Sequence, residues 1–274
     1  MTAPYSFSGK VAVVTGGAQS MGLMAAQALV SLGTRVVIGD IAESGIKEVE
    51  EINAQAGDCV AVFQVCNVSD RAQLHSLIDL AIARFGRLDI VINNAGITCP
   101  PWQLDPTGDS AMRCINVNFS AVVDATNYAM HVWQRDEAHK GVIINLASMS
   151  NYLPTEFYAV YAATKGAVIT LTKCYATLAP KVRVNAVAPG WVDTKLIDTE
   201  YIGRDHPFVK YAGMLKPQVV IGEIIRLIRD QSLAGEIVLI PNNRDPELCK
   251  LPNSAQVMEL AKAQIALQNK EVAV

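Results

Sequence analysis

KVAVVTGGAQSMG, residues 10–22, is the stretch on which the reading of the fold turns. Its first part, KVAVVT at 10–15, is a short β-branched run of the kind that forms a strand. A glycine-containing turn ends that run, and residues 20–32 then have helical character, so the stretch reads strand, turn, helix. The alternation continues outward, with a strand at 35–39, a helix at 44–56, a strand at 60–65 and a helix capped by Asp70 that runs to about residue 85. LDIVIN at 88–93 is apolar without alternation, as expected of a central strand covered by helices on both faces.

Beyond the proline-rich loop at 99–106 the sequence predicts one long helix to about Gln134, a strand at 142–147, a helix at 158–178 and a strand at 181–187. A helix at 217–230, a strand at 236–240 and a last helix at 255–267 complete the chain. Seven strands alternating with helices imply an α/β Rossmann fold: a doubly wound, parallel seven-stranded sheet with right-handed crossovers and helices on both faces. One domain is expected over residues 1–274, with a substrate lid loop at 195–216 and a C-terminal extension at 241–274. The lid expectation rests on Gly203, Pro207 and Gly213 among Tyr201, Phe208 and Tyr211.

Just over half of the 274 residues are apolar and 18% are charged, which supports a large core and excludes intrinsic disorder. A net charge of -3, without basic runs interleaved with aromatics, argues against nucleic acid as a partner. Residues 1–8 lack a signal peptide's basic segment and apolar core, and no apolar stretch is long enough to span a bilayer, so no membrane association and a cytoplasmic location are expected. The six cysteines lack CxxC spacing and the four histidines lack HExxH spacing, so reduced thiols and no metal are expected.

The turn Thr15-Gly16-Gly17-Ala18-Gln19-Ser20-Met21-Gly22 lets the backbone approach a pyrophosphate at the positive end of the following helix, although such a turn can also serve helix–strand packing alone. Asp40 lies 18 residues after Gly22, at the end of the second strand, where a carboxylate accepts hydrogen bonds from ribose hydroxyls and repels a 2′-phosphate. Neither Ile41 nor Ala42 supplies a compensating cation, so NAD is favoured over NADP; Asp40 could instead only cap the next helix.

With these residues the chain resembles the short-chain dehydrogenase/reductases over about residues 10–194, and their NAD-dependent alcohol dehydrogenase-like members in particular. The glycine pattern TGxxxGxG is matched by residues 15–22 with Ser20 at the second glycine, NNAG by Asn93-Asn94-Ala95-Gly96, YxxxK by Tyr161 and Lys165, and PGxVxT by Pro189-Gly190-Trp191-Val192-Asp193-Thr194. Ser148 stands 13 residues before Tyr161. The resemblance implies that Ser148, Tyr161, Lys165 and Asn118 are catalytic, with Asn118 supporting a water-mediated proton relay and Lys165 also holding the nicotinamide ribose. It implies cofactor contacts from Gly16, Ser20, Met21, Gly22, Asp40 and Ile41, and from Asn67 and Val68 near the adenine. Asn94, Ala95, Gly96, Tyr161 and Lys165 would follow, then Pro189, Gly190, Val192 and Thr194 beside the carboxamide. Members usually pair through two long helices, here 111–134 and 158–178, so a homodimer or homotetramer is expected.

The chemistry needs a base for the hydroxyl proton while hydride leaves. Tyrosine, with an unperturbed pKa of about 10, needs a cation, and Lys165 four residues on shares its helix face. Lowering that pKa to about 7 is worth roughly 4 kcal/mol, to be supplied by the lysine together with the positive charge of the oxidised nicotinamide. Ser148, at a strand's carboxyl end, would hold the substrate oxygen, while Tyr158 is expected in the pocket wall and Trp191 either there or in ordinary packing. The expected function is interconversion of a secondary alcohol and a ketone on a fairly apolar small molecule; redox-neutral chemistry on retained NAD, or NAD sensing without turnover, are the alternatives.

Overall fold

The computed structural model describes residues 5–135, 139–152, 156–198, 203–205 and 207–249. Strands β1 (Val11–Thr15), β2 (Arg35–Asp40), β3 (Ala61–Val65), β4 (Ile90–Asn93), β5 (Gly141–Leu146), β6 (Val182–Pro189), β7 (Ile237–Ile240) and β8 (Glu247–Leu248) form one sheet. Their spatial order is β3-β2-β1-β4-β5-β6-β7-β8. The first seven are parallel, and β8 pairs antiparallel to β7. The sheet is thus the expected seven-stranded parallel one with an eighth strand at its edge. β8 falls inside the segment read as a C-terminal extension, and two exposed residues carry no periodicity by which to find it.

Helices α1 (Ser20–Ser31), α2 (Gly45–Ala56), α3 (Arg71–Phe85), α4 (Asp109–Ile115), α5 (Ala121–Gln134), α6 (Ala159–Cys174), α7 (Pro207–Ala212) and α8 (Pro217–Arg229) alternate with the strands. Alternate residues of the central strands feed two cores. Ala12, Val14, Ile90 and Ile92 pack with Leu29 of α1 and Ile224 of α8 on one face. Val11, Val13 and Val91 pack with Leu77 of α3 and Trp133 of α5 on the other. Burial on both faces is why these strands read as unbroken apolar runs.

The long helix expected up to Gln134 is not continuous: α4 and α5 are joined by a π turn, Asn116–Ser120. The helix expected at 158–178 ends as a 3-10 turn, Tyr175–Leu178. Where it is described, the segment expected as a lid loop holds a 3-10 turn at Lys195–Ile197 and helix α7, and a parallel bridge joins Val192 to Leu215. The helix expected at 255–267 lies outside the described residues.

At the amino end of β4, Asp89 is 1% exposed and ties the sheet to the chain's start. It accepts hydrogen bonds from the Val11 N–H at 3.0 Å, Lys10 Nζ at 3.0 Å, and Arg87 Nε and Nη2 both at 2.7 Å. Burial pushes its carboxyl up, but the donors from Arg87, Val11 and Lys10 together hold it below the usual carboxylate range. The opposite, carboxyl end of the sheet is left for the site. Between β1 and β4 the winding direction reverses, and in open α/β sheets ligands bind outside the strand ends at such a switch point.

Candidate active site

The ends of β5 and β6 and the turns after β1 and β4 surround a cavity of about 1070 Å³. Of the residues expected at the site, Met21, Asn94, Gly96, Ser148, Tyr161 and Lys165 line it. Pro189, Gly190, Val192 and Thr194 line it on the β6 side. Tyr158 and Trp191 form part of its wall, their rings edge-to-face with centroids 6.0 Å apart. Gly16 and Ala95 belong to the adjoining turns, Ser20 and Gly22 to the first turn of α1, and Asp40, Ile41, Asn67 and Val68 lie at or just past the ends of β2 and β3, alongside the cavity rather than in its lining.

Tyr161 is hydrogen-bonded to Ser148, whose Oγ also accepts the Ser150 N–H at 3.1 Å. Lys165, 4% exposed, donates from Nζ to the Leu146 carbonyl at 2.6 Å, and its Nζ stands 5.7 Å from the Tyr161 ring centroid. The expected lowering of the phenol is not what these side chains produce by themselves. Burial raises Tyr161 to about 12, with the Ser148 hydrogen bond opposing, and burial lowers Lys165 to about 8. Desolvation disfavours both charged forms, and an ammonium bonded to a carbonyl beside the ring does not outweigh it.

Asn118 is fully buried within the π turn. Its Oδ1 accepts the Ile97 N–H at 2.9 Å and its Nδ2 donates to the Ile97 carbonyl at 2.8 Å. The Cys114 Sγ at 3.2 Å and the Thr164 Oγ1 at 3.3 Å also lie within reach of Nδ2. A Cβ added at Gly96 would lie 3.5 Å from both Asn118 Oδ1 and Lys165 Nζ, so the glycine leaves open the space that these two groups share.

The glycine turn is fixed from two sides. Asn94 Nδ2 donates to the carbonyls of Thr15 at 2.9 Å and Gly16 at 2.8 Å, while Asp40 accepts from the N–H groups of Ala18 and Ala42, each at 3.0 Å. Asn67 Oδ1 accepts from the Ser69 N–H at 3.1 Å. Ser20, which replaces a glycine of the pattern, has φ 50° and is the one non-glycine residue with positive φ among the described residues. That backbone costs an L-residue about 1 kcal/mol. Ser20→Gly is therefore expected to raise stability by about that amount in urea denaturation; an unchanged midpoint would show that the serine is held without strain.

The sequence profile of the short chain dehydrogenase family matches residues 10–203. The chain belongs to the short-chain dehydrogenase family. Human 15-hydroxyprostaglandin dehydrogenase [NAD(+)] is 30% identical over 255 residues, covering 86% of this chain and 92% of its own. A Mycobacterium tuberculosis reductase of a hydroxy-methyl-oxo-hexahydroindene carboxyl-CoA is 34% identical over 241 residues, covering 85% and 92%. Among solved structures, the 3-ketoacyl-(acyl-carrier-protein) reductase of Brucella melitensis complexed with NADH superposes with a TM-score of 0.77 at 27% identity, over 87% of this chain and 99% of that one.

The side chains of this short-chain dehydrogenase fit a dinucleotide. Helix α1 begins without a side-chain cap, leaving its first N–H groups for an anion, and the small floor at Gly96 opens beside Lys165. Among the described residues no three His, Cys, Asp or Glu side chains gather as a metal-binding group, and no helix is long and apolar enough to cross a membrane. All six cysteines are free; Cys59 and Cys174 are exposed and the other four buried. Sequence reasoning missed Asn242, which follows β7, lines the cavity and hydrogen-bonds both the N–H and the carbonyl of Trp191. A lone asparagine in a surface turn gives no spacing by which to single it out.

Proposed function

We propose that this chain is an NAD(H)-dependent oxidoreductase that interconverts a secondary alcohol and a ketone on a fairly apolar small molecule. The observation that carries this reading is the hydrogen-bonded Ser148–Tyr161 pair beside buried Lys165, in a cavity also lined by Tyr158, Trp191, Leu196 and Ile197. The nicotinamide, when bound, accepts or supplies the hydride, and in its oxidised form brings a positive charge. Ser148 Oγ holds the substrate oxygen, and Tyr161 takes the hydroxyl proton in oxidation or returns it in reduction. Lys165 and Asn118 flank the open space at Gly96, where a water would carry that proton onward. Because Tyr161 lies near 12 in the protein alone, the base needs a further cation beside it before it works near neutral pH.

Absorbance assays for NADH formation across a panel of secondary alcohols, and for NADH consumption with the matching ketones, test the reading; no change in either direction would overturn it. The Asp40 carboxylate, 8% exposed at the end of β2, supports NAD over NADP, since Ile41 and Ala42 offer no cation to a 2′-phosphate. Asp40→Ala is expected to weaken NADH binding and to shift the NADH/NADPH affinity ratio at least tenfold towards NADPH. Using the ratio separates this effect from loss of the Asp40 bond to Ala18, and an unchanged ratio would defeat the assignment. A homo-oligomer pairing through α5 and α6 belongs to the same proposal. A depression over α6 carries the small side chains of Ala159, Ala162, Ala163 and Gly166 along the helix, with Tyr152, Glu156 and Ile169 also in its lining, and offers a second helix a place to approach.

A further inference from the structure

Asn242 joins three segments that are far apart in the chain. Its Oδ1 accepts the Trp191 N–H at 3.0 Å and its Nδ2 donates to the Trp191 carbonyl at 2.8 Å, so the amide pairs with residue 191 as a neighbouring strand would. The second Nδ2 hydrogen reaches the Gly213 carbonyl at 3.0 Å. The fit leaves no slack: a Cβ at Gly190 would stand 2.1 Å from Asn242 Oδ1, and Gly213 has φ +71°. Backbone bonds complete the seam, from the Leu215 N–H to the Trp191 carbonyl at 2.7 Å and from the Asp193 N–H to the Leu215 carbonyl at 3.0 Å.

The seam joins the two ends of the region between β6 and α8, which carries Trp191, Leu196, Ile197 and Tyr211 around the cavity. The same region begins with Pro189, Gly190, Val192 and Thr194, which line the cavity together with Ser148 and Tyr161. We propose that Asn242 is a positioning residue: by locking residues 190–193 and 213–215 to the end of β7, it sets the 189–194 segment against the nicotinamide half of the dinucleotide. The proposal rests on the NAD reading above. Asn242 acts through the backbone of Trp191, so its loss changes where that segment sits rather than removing a group that reacts.

The test uses Asn242→Ala and Asn242→Asp in the full chain. Asn242→Asp keeps the shape and the acceptor for Trp191 but loses both donations and sets a charge against two carbonyls. Hydrogen exchange is expected to speed up about tenfold at residues 190–193 and 213–215 in both variants, with β1 and β4 unchanged. The dissociation constant for NADH, read by its fluorescence, is expected to rise about tenfold, and that for ADP-ribose, which lacks the nicotinamide, to stay within twofold. Unchanged exchange at both segments would overturn the clamp. Equal weakening of NADH and ADP-ribose would overturn the positioning role, because general loosening does not distinguish the two ligands. A wild-type protein that binds neither ligand would remove the NAD reading and with it the positioning role, while the exchange data would still report on the clamp.

Discussion

Tyr161→Phe is expected to lower turnover about 10³-fold while NADH binding stays within about threefold. Phenylalanine keeps the ring that packs beside Lys165 and removes only the hydroxyl, so the loss isolates proton transfer from pocket shape. Ser148 and Lys165 remain, and with them the means to hold a substrate oxygen. In the oxidative direction the wild-type rate should climb with pH, because in the proposed mechanism the reactive form of the residue is the phenolate. Burial alone pushes Tyr161 to about 12, so the climb reports how far the loaded site has pulled it down. The residual rate of the variant should not follow that profile. Equal initial rates of NADH formation in the two proteins would remove Tyr161 from the mechanism.

The second large effect lies at the other end of the sheet. Asp89→Asn is expected to cost about 3 kcal/mol of stability, read from urea denaturation at neutral pH. The side chain is 1% exposed, but its partners Arg87 and Lys10 are 42% and 28% exposed, so the charges left behind can turn to water. That places the loss at the lower end of what breaking a buried ion pair causes. The Asp89 carboxyl is held below its unfolded value of about 3.9, so its contribution is complete above that pH and disappears as pH falls through the lower folded value. The gap between wild type and variant should therefore close in acid. A gap that persists at low pH would assign the loss to packing rather than to the carboxylate.

Much of the fold could be read from the chain because the deciding groups lie close together in sequence. The turn after β1, the apolar run into Asn93 and the Tyr161–Lys165 spacing each declare themselves within a few residues, and the structure gathers Ser148, Tyr161 and Lys165 on one cavity. What could not be read depends on partners that sequence separates or on backbone angles. Asn242 meets Trp191 across 51 positions, and nothing in the turn around it marks it for that work. β8 is two residues long, too short for any pattern. Ser20 shows its left-handed backbone only in three dimensions. How strongly burial raises Tyr161 in the protein alone was also beyond reach, because desolvation depends on how completely the pocket closes around the phenol.

The π turn at Asn116–Ser120 carries one more residue per turn than the helices it joins. Each residue of a regular helix advances the azimuth by about 100°. Deleting a single position there would restore a regular amide ladder, yet would swing everything upstream through that angle. Cys114 would leave Asn118, and the inward amide would lose the orientation that brings both its atoms to Ile97. The irregularity thus works as a phase setting, and on the proposed role of Asn118 a more regular helix at this point is expected to lower activity.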